Sequence, residues 1–519
     1  LPMKVIYTAF ILCIIFTLPF SCNKQKKKIK EIATRDTTIT KENSHTELFL
    51  DTTSQVHFYL KQQTPDSIQA NMQSFYNQRN HQFAWFFPDG MSDLVATFLS
   101  LQNDYIHLSG DSTLLNPQLT HLVSQLEGKK RVNPMDSMVI ETELLLTQQF
   151  FKYASVAYIG SQHINTQELS WFIPRKKIDT NAFLDSLIKN RGQNIDRYEP
   201  VNKKFNSLKA SLLHYYELQK MKAWPQLVLD KQAKAGKASP TLIPIKKRLM
   251  LLHDFPDSDS LTDAYDSTLI TAVKCFQKRM GLKVDGEIGA AFMGELNVPI
   301  EARIEQILIN LERLRWVPES PSTDYLLVNI PEFKLHAYEA GKHAFDMAVV
   351  VGSEVHNTVI FSGSLNQIVF SPYWNVPNSI LVNEILPGIK RNPHYLAKHN
   401  MEWNGKTVRQ KPGKSNSLGQ VKFLFPNNYS IYLHDTPSKR LFSESARAFS
   451  HGCIRVAEPQ KLAQYLLRND STWTTQKIDS AMEAGKEKYV LLKGKSEIPV
   501  FIAYFTAWTD LEGKLNFRK

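Results

Sequence analysis

A chain of 519 residues, 43% hydrophobic and 22% charged, is too long for one core and too apolar for a disordered polymer, so two to four folding units are expected. Its formal charge of +12, from 62 basic and 50 acidic residues, is partly a tail effect, because Lys24, Lys26, Lys27, Lys28 and Lys30 fall in one run. No recognition motif accompanies the charge, which sets nucleic acid aside as a partner and leaves a solvated surface or attraction to anionic lipid and wall polymer.

At the N-terminal end Lys4 precedes an apolar run from Val5 to Phe20, too short and too poorly flanked to favour a membrane span over an export signal. The run closes with Leu18-Pro19-Phe20-Ser21-Cys22, a small residue before a Cys, which resembles a loose bacterial lipoprotein signal. Residues 1–22 are therefore expected to be a lipoprotein-type signal segment with Cys22 acylated. Ordinary cleavage and a retained signal anchor are the alternatives; all three place the bulk of the chain outside the cytoplasm, so a periplasmic location is expected, anchored to the inner or outer membrane by a lipidated Cys22 or an N-terminal signal anchor. Of the four cysteines, Cys13 and Cys22 belong to this segment. Cys275 sits in a helical pattern where a small buried hydrophobe is the commoner role, while Cys453, close to His451, reads as a reactive thiol.

Residues 23–55 are polar and read as a flexible tether. From 56 to 230 the pattern is mostly helical, as in Ser137 to Ile159, where apolar residues recur at three- and four-residue steps, and it predicts a helical scaffold domain. The aromatic-rich stretch 75–90 within it reads as a packing corner. Residues 231–240, polar and ending in Pro240, mark a junction. Three helices are expected over 239–298, with Asp266 capping one, Gly281 ending it in a left-handed turn, and Asp285-Gly286 forming a tight turn before the next. Ile304, Ile307, Leu308, Leu311 and Leu314 share one face of a connecting helix within 299–320. From Tyr325 the period becomes two, with breaks at Pro331 and Gly341, so 321–519 is expected to be mainly β. Residues 378–410 interrupt the β pattern with a helical and mixed insertion, and 500–513 reads as a final hairpin. The fold class is multi-domain α+β.

The chemistry concentrates in 431–456. His434 ends a β-patterned run, and Cys453 follows 19 positions later behind His451-Gly452. A thiol with a pKa of about 8.5 is mostly protonated at neutral pH, so acyl transfer by sulfur needs an imidazole beside it, and an imidazolium that stabilises the thiolate is expected. The Asp435 carbonyl is a candidate to orient that ring. Gly452 lets a ligand approach, and the N–H groups of Gly452 and Cys453 are candidates for an oxyanion hole. His336, His343, His356, His394 and His399 show no His-x-x-x-His spacing, so no metal site and no cofactor are expected.

These residues carry a resemblance. The order His434, then Ser450-His451-Gly452-Cys453, a hydrophobic residue and Arg455 is similar to the signature of the YkuD-type L,D-transpeptidases. Residues 325–339, 347–352, 371–380 and 409–437 are similar to the large, multi-domain branch of that family. The run Ala272-Val273, Phe276-Gln277, Gly281-Leu282, Val284-Asp285-Gly286, Ile288-Gly289 and Leu296-Asn297 resembles a three-helix peptidoglycan-binding module. The resemblance implies that Cys453 is the nucleophile, His434 the general base, Gly452 and Cys453 the oxyanion hole, and that Tyr432, Ser450, His451, Arg455 and Asp435 line or brace the substrate site. It also implies a lid over the site at 378–410. The implied reaction joins the third residues of two peptidoglycan stem tetrapeptides, donor and acceptor, with release of D-Ala, and makes carbapenems covalent inhibitors. A cysteine-dependent wall endopeptidase or amidase, and a non-catalytic peptidoglycan-binding lipoprotein, are the alternatives.

Overall fold

The structure, a computed structural model, describes residues 32–161, 164–175, 177–193, 203–221, 224–230, 233–258, 260–317, 323–353 and 357–519. The signal segment with Cys13 and Cys22, the lysine run and His356 lie outside the described residues.

The N-terminal region is helical: α1 (Thr52–Lys61), α2 (Asp66–Gln78), α3 (Leu94–Ser109), α4 (Pro117–Leu126), α5 (Ser137–Ala154), α6 (Thr180–Lys189) and α7 (Lys203–Lys220), with a small hairpin of β1 (Phe86–Phe87) and β2 (Gly90–Met91) between α2 and α3. Its hub is α5, started by Asp136, whose carboxylate accepts the Met138 N–H and so satisfies one of the orphan donors of a helix start. On α5 the fully buried Glu143 accepts the N–H groups of Ala84 and Trp85 and the Tyr76 hydroxyl. Those bonds hold the aromatic stretch in place as the expected packing corner, with Phe83, Trp85 and Phe86 buried. Burial still pushes the Glu143 carboxyl up to about 7.

The expected tether ends short of residue 55. Leu48 and Leu50 are buried in the scaffold core, the Leu50 N–H donates to the His81 carbonyl, and α1 begins on its Asp51 cap. Two apolar side chains in a polar stretch suffice to dock it, and average composition hides them. At the other end, Leu208, Leu212 and Tyr215 of α7 pack into the second core rather than the first.

That second core begins with α8 (Leu242–Leu251), α9 (Ser267–Met280) and α10 (Ala290–Leu296). The signals read from the chain are in place: the Asp266 carboxylate accepts the Leu269 N–H, and Gly281 turns left-handed at φ 70°. Gln277 donates to Asp285 and accepts the Gly286 N–H, which locks the turn before α10. Asn297 clasps both the N–H and the carbonyl of Leu227. The amphipathic α11 (Ile300–Trp316) follows, burying Ile304, Ile307, Leu311 and Leu314.

The remaining elements are β3 (Tyr325–Asn329), β4 (Lys334–Glu339), β5 (Lys342–Gly352), β6 (Phe361–Leu365), β7 (Gln367–Phe370), β8 (Trp374–Asn375), α12 (Asn378–Ile380), α13 (Leu386–Arg391), α14 (Tyr395–Lys398), β9 (Met401–Asn404), β10 (Thr407–Gln410), β11 (Val421–Leu424), β12 (Leu433–His434), β13 (Ala448–Ser450), β14 (Ile454–Val456), α15 (Pro459–Leu467), α16 (Thr475–Glu483), β15 (Lys488–Leu491), β16 (Ile498–Ala503), β17 (Ala507–Thr509) and β18 (Leu515–Phe517). The main sheet runs β15-β7-β11-β12-β14-β5-β4-β3-β16-β6, with β13 added beside β5. Consecutive strands β6 and β7 lie near opposite ends of that path although Asn366 alone separates them, so the sheet curls back on itself. The architecture is multi-domain α+β with a mainly β C-terminal part.

The expected hairpin at 500–513 is displaced. Residues 498–503 are β16, paired in parallel with β3 inside the main sheet, and the hairpin is β17 with β18. An alternating pattern marks both kinds of strand equally, so only long-range pairing separates them.

Candidate active site

Local pairing brings the sequence-predicted residues together. Strand β12 runs parallel to β14 in the register Leu433 to Ile454 and His434 to Arg455, and the Ile454 N–H donates to the Tyr432 carbonyl. Continued one residue back, that register sets Cys453 beside Tyr432. Side chains two apart on a strand share a face, and so do paired residues. Tyr432, His434, Cys453 and Arg455 therefore form a square on one face, with the Cα atoms of Cys453 and His434 about 8 Å apart on its diagonal, from strand spacing and rise. The Tyr432 and His434 rings stand 5.6 Å apart.

His434 is buried, and its Nδ1 lies 2.5 Å from the Asp435 carbonyl oxygen. A carbonyl only accepts, so Nδ1 carries the proton and Nε2 is left with a lone pair, the tautomer of a base. Burial foremost, and then the Arg455 guanidinium, depress its pKa to about 4. Cys453 is a free thiol whose Sγ–H donates to the Ser430 carbonyl at 3.4 Å. Burial raises its pKa, against the opposing effect of hydrogen bonding to Tyr432. The resting pair is thus a neutral thiol and a neutral imidazole, not the thiolate and imidazolium expected from the chain. The physical reason is that desolvation penalises both charged forms and outweighs the pairing.

The loop before Cys453 is braced by Ser450, whose hydroxyl donates to the Cys453 carbonyl and accepts the Gly452 N–H. The Gly452 N–H is engaged at 3.2 Å with Ser450, whereas of the two candidate oxyanion donors the Cys453 N–H makes no hydrogen bond to a described residue. Gly452 itself has φ 108°, a conformation that side-chain-bearing residues rarely adopt, and its carbonyl accepts the Thr358 hydroxyl. The Asp435 carboxylate accepts the Gln420 and Thr436 N–H groups and the Lys439 ammonium, and the contact of Asp435 with His434 is made by its backbone carbonyl. Tyr432 is largely buried, and burial raises its phenol pKa. Arg455 faces Cys453 with a buried Nε that has no partner among the described residues.

The insertion at 378–410, together with the residues just before it, is a small unit with its own core of Val376, Leu381, Ile385, Met401 and Val408 and a three-stranded sheet β8-β10-β9. Its Glu384 comes within 3.8 Å of His451 Nε2, and both side chains are more than half exposed. That pair brings the insertion to the loop before Cys453, and Val382, Leu386 and Trp403 are exposed on it.

Several contributors escaped the sequence reading. Ser430 and Thr358 act through a carbonyl and a hydroxyl at positions no motif marks. Glu384 meets His451 only through the fold. Lys422, the register partner of His434 on β11, had only its place in an alternating strand as a signal. The histidine survey also missed a convergence: His336, His343 and Asp346 bring ligand atoms within 4.8 Å of one another, because they meet across a hairpin rather than along a helix.

Residues 323–478 match the YkuD family model, the L,D-transpeptidase catalytic domain. Residues 70–212 match a scaffold domain, and 240–296 match the family described as "Putative peptidoglycan binding domain". A Haemophilus influenzae protein named "Putative L,D-transpeptidase" is 32% identical over 227 residues, which is 40% of this chain and 45% of that one. The chain thus aligns with less than half the length of that relative. Among solved structures, an L,D-transpeptidase from Xylanimonas cellulosilytica is 15% identical, covering 53% of this chain and 99% of that one, with a TM-score of 0.17. One from Stackebrandtia nassauensis is 17% identical, covering 47% and 91%, with a TM-score of 0.21.

Proposed function

We propose that the protein cross-links peptidoglycan stems through a thioester on Cys453, a reading that starts from the match of residues 323–478 to the YkuD L,D-transpeptidase catalytic domain beside matches to peptidoglycan-binding and scaffold domains. The observation that carries this reading is the His434 tautomer: Nδ1–H is held on the Asp435 carbonyl, which leaves Nε2 unprotonated on the same strand face as the thiol.

The reaction has two halves. The Cys453 thiol leaves the Ser430 carbonyl and passes its proton to His434 Nε2 as sulfur attacks the carbonyl that joins the third residue of a donor tetrapeptide to its terminal D-Ala. The oxyanion of the tetrahedral intermediate is received by the Cys453 N–H, and Gly452 joins it if Ser450 releases its amide. Collapse breaks the C–N bond, His434 returns the proton to the D-Ala amine, and the thioester remains. The side-chain amine of an acceptor's third residue then attacks the thioester, His434 takes the surplus proton, and the thiol is restored. The insertion at 378–410, whose Glu384 approaches His451, serves in this reading as a lid that favours an amine acceptor over water, because excluding solvent slows hydrolysis of the acyl-enzyme.

The location proposed is periplasmic, anchored to a membrane by a lipidated Cys22 or a signal anchor. That reading rests on the sequence of residues 1–22. No helix among the described residues is long and apolar enough to cross a membrane. Incubating purified protein with a disaccharide tetrapeptide and resolving products by mass spectrometry tests the reaction: a dimer linked between third residues is expected, and tripeptide alone would assign the site to hydrolysis. A carbapenem should add once per chain, and Cys453→Ala should abolish the adduct.

A further inference from the structure

We propose that His336, His343 and Asp346 form a second site that binds a divalent cation of the zinc class. The site is built by a strand irregularity. Strands β4 and β5 pair His336 with Asp346 and Ala337 with Phe345, but then Tyr338 with His343, so Ala344 is an extra residue that opposes nothing. Without that bulge His343 and Asp346, three apart on one strand, would point to opposite faces. With it, His336, His343 and Asp346 share one face, which is how bulges re-aim side chains at sites.

The donor set suits such an ion. His336 Nδ1 lies 2.7 Å and His343 Nε2 2.6 Å from the same oxygen of Asp346, and the three ligand atoms fall within 4.8 Å of one another. An ion at about 2.0–2.2 Å from each requires the two short edges to open by less than about 1 Å. Two imidazoles and a carboxylate are the borderline donors that zinc takes in three-ligand sites, where a fourth position stays open. The outer shell is also present. His336 Nε2 lies 2.9 Å from the buried carboxylate of Glu332, the carboxylate–histidine–metal arrangement that fixes the tautomer and frees Nδ1 for the ion.

All four residues line a cavity of about 460 Å³ between the sheet, α7, α11 and the β17–β18 hairpin. Through it the fourth position is reachable from solvent. None of Tyr432, His434, Cys453 and Arg455 lines this cavity. Asp346 lies four residues along β5 from Val350, the partner of Arg455, about 13 Å away at the strand rise. The site is therefore distinct from the thiol.

The test uses the full chain with Cys453→Ala and Cys275→Ala, which removes both free thiols of the described residues as competing ligands. The metal-stripped protein is titrated with Zn2+ against a chromophoric chelator. One ion per chain is expected. His343→Gln and Asp346→Asn should each weaken binding about 100-fold, and Glu332→Gln, acting through the outer shell, by roughly 10- to 100-fold. Circular dichroism of each variant checks folding, and Co2+ gives a readout that does not depend on the variants, a visible spectrum of nitrogen and oxygen ligation lacking thiolate charge transfer. Failure to bind Zn2+ in micromolar excess would leave the cluster an ion-pair network only. Binding unchanged by His343→Gln would place the ion elsewhere. Either result overturns the proposal.

Discussion

Replacing His434 with Ala separates two accounts of the thiol. If Cys453 rested as a thiolate held by an imidazolium, the substitution would remove nucleophilicity toward every electrophile. The structure has the opposite ground state, with the Cys453 pKa raised by burial and that of His434 lowered to about 4. A thiol whose pKa burial raises is mostly protonated at pH 7, with or without the imidazole. His434→Ala should therefore leave iodoacetamide alkylation at pH 7 within about threefold of the parent, and both rates should climb steeply from pH 6 to 9 as the thiolate fraction grows. Carbapenem acylation needs the proton moved within the transition state, so it should fall by about 10²- to 10⁴-fold, or roughly 3–5 kcal/mol of barrier. Alkylation rates followed by intact mass, beside stopped-flow acylation, give both numbers. A parental alkylation profile that is flat below pH 7, or a tenfold loss of alkylation in the variant, would refute the neutral pair.

Stability against pH follows from the same burial. The folded His434 pKa of about 4 lies below the value of about 6.5 of an unfolded chain, so the unfolded state binds more protons between them. The catalytic domain should keep its stability above pH 6.5 and lose up to about 3 kcal/mol as pH falls to 4. Thermal melts of His434→Gln should lack that increment. Gly419→Ala places a Cβ about 2.2 Å from the Asp435 carboxylate at φ +62°. It should cost more than about 2 kcal/mol and slow acylation by displacing the carbonyl that orients His434, seen as a lower Tm and a lower acylation rate together. Asp266→Ala removes the α9 cap and the partner of Lys246, whose side chain is 1% exposed. A loss of roughly 2 kcal/mol or more is expected in denaturant melts, with carbapenem acylation unchanged.

Much of this protein was legible because its signals are local. Asp266, Gly281 and Asp285 act within a turn or two of their own helix, so reading them placed α9 and its neighbours. The apolar face of α11 follows from a period, and the His434 to Cys453 motif from residue type and spacing. What spacing along the chain cannot hold is the environment that pairing creates. The charge states of Cys453 and His434 depend on desolvation by strands brought together from distant segments. The use of the Gly452 amide by Ser450, and of the Asp435 carboxylate by Gln420 and Lys439, is settled by which donors and acceptors the fold holds within reach of one another. The burial of Leu48 and Leu50 and the meeting of His336 with His343 and Asp346 have the same cause. Sequence by itself determined which groups are available for chemistry and which segments fold as helix or strand. Tertiary structure decided their protonation, their partners and their faces, because solvent exclusion and strand register are properties of contacts between residues far apart in the chain.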